Sequence, residues 1–156
     1  MKKFSLKTKI ATLSAVIAVS ATTAVFAHGG AMGIVKERMD LMSAIGKNMK
    51  SVAAMVKGEA KFDPTAIETS AKSMAEHSTK INDLFPKGSL DKPTEALPSI
   101  WEDWDRFAQL SKDLETEANK LAEVATSGDK RAVMMQFAKI GKVCSTCHTN
   151  FRIKKD

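Results

Sequence analysis

Tyrosine is missing from this 156-residue chain, histidine occurs three times, cysteine twice and proline four times. Each scarcity excludes something. Cys144 and Cys147 stand three apart, so a bridge between them would close a very small loop and add little stability. No second cluster of Cys or His accompanies them, which leaves a tetrahedral zinc site short of ligands. No stretch alternates apolar and polar residues, and β-branched residues are scattered, so nothing reads as a strand. Neither a nucleophile–base pair nor a pair of catalytic carboxylates stands out, and the chain reads as a non-enzyme.

The N-terminal residues do not belong to the fold. Lys2, Lys3, Lys7 and Lys9 are followed by an uncharged stretch from Ile10 to Phe26 and by the small-residue site Val25-Phe26-Ala27. This order describes a secretory signal over residues 1–27, cleaved before His28. A retained anchor is the rival reading, but the stretch holds five Ser or Thr and is at the short end for a span, about 20 residues. The full chain carries 24 basic and 18 acidic residues. Without the four leader lysines the remainder is only +2, so the basic balance reflects targeting and does not indicate nucleic-acid binding. Residues 28–156 form one domain, large enough to bury a core, with no stable membrane insertion.

What is present is helical periodicity. Met42, Ile45, Met49, Val52 and Val56 step by threes and fours in a first segment, Ala31 to Lys57, which Gly58 ends. Asp63 and Pro64 suit the start of a second helix, read as continuing to Leu84. A loop with Pro86, Gly88, Pro93 and Pro98 follows. The third helix runs from Pro98 with Ile100, Trp104, Phe107, Leu114 and Leu121 on one face; the fourth runs from Asp129 to Phe151 with Val133, Phe137, Ile140, Cys144 and Cys147 inward. Four such stripes predict an all-α, antiparallel four-helix bundle.

Cys144-Ser145-Thr146-Cys147-His148 carries the chemistry. Cys-x-x-Cys-His is the attachment pattern of c-type haem. Helical residues three apart point to one side, so two thiols can add to the two vinyl groups of one porphyrin edge, with His148 as proximal iron ligand. One covalent haem c per chain is expected. The competing reading is a thiol-redox or metal-trafficking pair, but a thioredoxin-like motif needs a strand–helix unit.

The bundle, the motif near the C-terminus and the following Asn150-Phe151-Arg152 resemble the cytochrome c-prime family. Arg38-Met39-Asp40-Leu41-Met42 resembles its first helix, and Pro98-Ser99-Ile100-Trp101 the start of its third. The resemblance implies that function turns on the iron's sixth position. In the family proper it is open and takes small gases such as nitric oxide; in the cytochrome c-556 branch a first-helix methionine fills it for electron transfer. Leu41-Met42, Gly46-Lys47-Asn48-Met49 and Val56-Lys57-Gly58-Glu59 look closer to that branch. The expectation is therefore a periplasmic electron carrier with His148 and Met42 as axial ligands, serving redox partner proteins. The alternative is a five-coordinate gas binder in which Met42, a flexible gap-filler, only lines the pocket.

Met39 and Met49 are expected to tilt away from a haem centred on Met42. Arg38 and Arg152, each one turn from a ligand position, are candidates for the haem propionates. Trp104, Phe137 and Ile140 read as core and haem-edge packing, His77 as an exposed helix-flank residue, and His28 as a terminal histidine with no designed metal site. The resemblance also implies a homodimer through the first two helices, for which Ile34 and Val35 would be an outward apolar patch.

Overall fold

A computed structural model describes residues 30–154. The expected signal segment and His28 lie outside the described residues. Five α-helices follow in order: α1 (Gly33–Lys57), α2 (Pro64–Ser78), a 3-10 turn at Asn82–Leu84, the one-turn α3 (Ser99–Glu102), α4 (Trp104–Ala125) and α5 (Lys130–Phe151). The four long helices are the expected bundle.

Local chemistry sets their ends. Gly58 adopts φ +82° after α1, a conformation costly for other residues, and its N–H reaches the carbonyls of Ala54 and Met55. Asp63 accepts from the N–H groups of Thr65 and Ala66, with Pro64 at the first helical position. Asp129 does the same for α5, accepting from Arg131 and Ala132.

The second helix is shorter than its periodicity suggested. Near its end Ser78 Oγ donates back to the Ala75 carbonyl at 2.6 Å and Thr79 Oγ1 to that of Glu76 at 2.8 Å. Such back-bonding competes with helix continuation, and the chain enters turns before Asn82. The third helix is broken at Asp103, whose backbone leaves helical geometry at φ −127°, ψ 56°. The break lets Trp101 donate its indole N–H to the Phe85 carbonyl at 2.9 Å. It also turns Trp104 outward, 36 % exposed, its ring resting 5.6 Å from that of Phe107. Trp104 is thus a rim residue rather than core.

Val52, Ile67, Met74, Leu121, Val133 and Ile140 form the fully buried centre. Each large side chain contributes about 1.5–3 kcal/mol by leaving water. Three seams are packed: α1 on α2, α2 on α4, and α4 on α5. The fourth, α1 against α5, is scarcely in contact. Val35, expected to face outward, is buried, while Ile34 is half-buried. Those two residues therefore do not make an exposed apolar patch. Among the described residues no helix is long and apolar enough to cross a membrane.

Because the Asp129 carboxylate caps the helix that carries both cysteines, Asp129→Ala should cost about 1 kcal/mol. The midpoint of chemical denaturation, followed by circular dichroism, should fall accordingly with an unchanged slope.

Candidate haem site

The gap between α1 and α5 is a cavity of about 680 Å³, within the range of about 300–1,000 Å³ usual for small-molecule sites. One wall is α5, contributing Val143, Cys144, Cys147, His148 and Phe151. Its 3.6-residue period brings the two cysteines and the neighbouring imidazole onto one wall. The opposite wall is α1, with Met39, Met42, Ile45, Gly46 and Met49. Leu110 and Leu114 of α4 lie between, and Pro93, Thr94, Glu95 and Ala96 of the 86–98 loop close one side.

Burial governs the chemistry of the motif. Both thiols are half-buried. Desolvation pushes the Cys144 thiol up, and desolvation with the neighbouring Cys144 pushes Cys147 up to about 11. A reactive redox pair needs the opposite, a stabilised thiolate. His148 is exposed to solvent, yet desolvation lowers its pKa below the ordinary value. Arg152 adds to that lowering and Glu95 opposes it. A neutral imidazole is the form that binds a metal.

Arg38 is the unusual member of the α1 wall. It is 4 % exposed, and its guanidinium lies 4.4 Å over the Phe85 ring. It donates to the Ser89 carbonyl and hydroxyl, both at 2.8 Å, and to Thr94 Oγ1 at 3.4 Å. Its Nε has no hydrogen-bond partner. A buried cation whose hydrogen bonds go only to neutral oxygens is costly and suits a cavity built for an anionic group. Arg152 differs: its guanidinium is paired with Glu95 through Nε at 2.7 Å and a second nitrogen at 2.5 Å.

The donor set and the space fit a c-type haem. Two thiols and one imidazole line an apolar cavity with a buried cation in its wall, and the space beside Gly46 of α1 is open, since a Cβ there would meet nothing within 4 Å. Among the described residues no group of three or more His, Cys, Asp or Glu could hold a bare metal ion. Residues 33–152 match the family model described as Cytochrome C'. The chain belongs to the cytochrome c' family. It is a monohaem c-type cytochrome, with one covalent haem c per chain as in that family. It is 32 % identical to a cytochrome c' of Rhodopseudomonas palustris over 96 % of this chain and 99 % of that one. It is 35 % identical to a cytochrome c-556 of Agrobacterium fabrum, over 80 % of this chain and 84 % of the relative. A nitric oxide complex of a mutant cytochrome c prime from Alcaligenes xylosoxidans superposes with TM-score 0.70 at 26 % identity, over 78 % of this chain and 94 % of that one.

Other residues fall differently from expectation. Met39 and Met49 line the same cavity as Met42 rather than tilting away from it. Phe137 is half-buried against the core and Ile140 fully buried, as packing residues. His77 is half-buried, its Nδ1 2.6 Å from the Ser73 carbonyl. The sequence reading missed Ser89, Thr94 and Glu95; only the proline-marked loop hinted that this stretch is structured.

With Cys147 held near 11, the folded haem-free chain should alkylate slowly with iodoacetamide at neutral pH, the rate climbing through pH 10. A plateau at the ordinary thiol range would mean that the thiols are not buried.

Proposed function

We propose that Cys144 and Cys147 hold the haem through thioethers, that His148 is its axial ligand, and that the α1 wall forms an apolar pocket of c' type for a small neutral gas on the iron's other face. The supporting observation is the composition of that wall. Met39, Met42, Ile45 and Met49 offer thioether and aliphatic surface, and Arg38 is its one charged residue. A neutral diatomic ligand loses little on entering such a site, whereas water loses hydrogen bonds there. The relative matched over nearly the whole chain bears the name cytochrome c', and one solved relative is a nitric oxide complex. Haem supplies the ligand-binding iron. The chain's own part is to exclude water, orient the imidazole and balance a propionate with Arg38. In this reading the protein is not an enzyme and works in the periplasm after residues 1–27 are removed.

A second reading has its own support. Met42 lines the cavity, and the α1 segment resembles the c-556 branch. Bound to iron, its neutral thioether would raise the reduction potential and make the protein an electron carrier for redox partners. The two readings differ in one bond.

The pyridine haemochrome assay and intact mass should show one haem per mature chain. For the gas-binding reading, the purified protein has a broad high-spin spectrum, binds carbon monoxide readily when reduced, and keeps its spectrum in Met42→Ala. A sharp low-spin band that Met42→Ala abolishes, with carbon monoxide binding rising about tenfold or more as the competing ligand is removed, establishes the electron-carrier reading. A colourless chain, expressed with working haem-attachment machinery, rejects both.

A further inference from the structure

The loop between the second and third long helices carries side chains that no motif marks. We propose that residues 89–97 are the clasp of the haem site and that Ser89, Thr94 and Glu95 are its positioning residues, setting Arg38 on one cavity wall and Arg152 beside His148 on the other. The proposal rests on the haem reading above and adds to it.

Two anchors carry the argument. At one end, Ser89 and Thr94 take three hydrogen bonds from Arg38, at 2.8, 2.8 and 3.4 Å. These bonds span more than fifty residues of sequence and leave Nε of a cavity-lining guanidinium as the group without a partner. A buried arginine held this way is pre-aimed, so little side-chain entropy remains to be lost when a haem carboxylate binds. At the other end, residues 95–97 run antiparallel to residues 151–153. Leu97 N–H donates to the Phe151 carbonyl at 3.0 Å, and Ile153 N–H to that of Glu95 at 2.8 Å. Two nitrogens of Arg152, Nε and a terminal one, converge on a single Glu95 oxygen, Oε2, a charge-assisted contact that holds the guanidinium against the loop.

The clasp therefore joins α1 and α5, the two neighbouring helices that scarcely touch. It also sets two opposed charges near the axial histidine, since Arg152, paired with Glu95, donates its backbone N–H to the His148 carbonyl at 3.2 Å and lines the same cavity as His148. Moving either anchor changes the field at the iron as well as the stability of the loop. That distinguishes positioning from bracing. Ser99 supplies the comparison: its hydroxyl donates to the Asn150 carbonyl at 3.0 Å, tying the same two regions without touching Arg38 or Arg152.

The test uses the holoprotein and reads its reduction potential. Ser89→Ala with Thr94→Val should lower the potential, because Arg38 keeps only its bond to the Ser89 carbonyl and is held less firmly at the haem edge. Thr94→Ser in place of Thr94→Val should restore the loss due to that position. Glu95→Gln should raise the potential, because a negative charge is lost while Arg152 remains. In the same variant, hydrogen exchange at the Leu97 and Ile153 amides should accelerate about two- to fivefold, as expected for an ion pair of this exposure. Ser99→Ala should lower the melting temperature with no change in potential. A coloured protein whose potential is unmoved by the Ser89, Thr94 and Glu95 substitutions, or is moved equally by Ser99→Ala, overturns the clasp while leaving the haem reading intact. A chain without haem overturns that reading and the clasp together.

Discussion

The missing seam between α1 and α5 is the constraint on which this protein is built. Four amphipathic helices would ordinarily close on one another along every adjacent edge. Here three edges close and the fourth holds a cavity of about 680 Å³. Ser43 and Gly46 line it from one side, among larger side chains such as Met42 and Met49, and Cys144 and Cys147 from the other. Left empty, its apolar walls would face water, at about 25 cal/mol for each Å² of apolar surface. A large apolar cofactor resolves this. In a cytochrome c' the haem is part of the core as much as it is the functional group.

That cavity also decides which polar groups may line it. The thiols are half-buried with raised pKa values, an environment suited to a thioether, which carries no charge, rather than to a thiolate. Arg38 is the exception that the wall accommodates, held by neutral oxygens and the Phe85 ring while its Nε stays unpaired. Its burial makes sense beside an anion. Arg152, equally near a ligand position in sequence, already has a carboxylate in Glu95. Two arginines with the same local spacing thus acquire different partners, because one faces the cavity from α1 and the other meets the loop.

Much of this was legible from the residues. Asp63, Pro64, Gly58 and Asp129 mark helix ends where the structure has them, since capping depends on neighbours in sequence. The stripe through Val133, Ile140 and Cys147 is the inward face of α5. Reading failed where a contact came from far away. Trp104 continues a helical stripe, yet the break at Asp103 turns it to the rim. Val35 reads as an outward apolar residue and is buried. Met39 and Met49 are angled away from Met42 by helical spacing, but the cavity is wide enough for all three to line it.

By itself the sequence determined the helix content, the caps and the cofactor, because each depends on residues within a turn or two: a 3.6-residue period, a carboxylate before a proline, and two thiols and an imidazole on one helical face. Only the tertiary structure decided what surrounds that motif. The open fourth seam, the buried Arg38 and the strand-like clasp of residues 95–97 against 151–153 join parts of the chain more than fifty residues apart. No local pattern encodes such pairings; they arise when the helices pack and one edge is left for the haem.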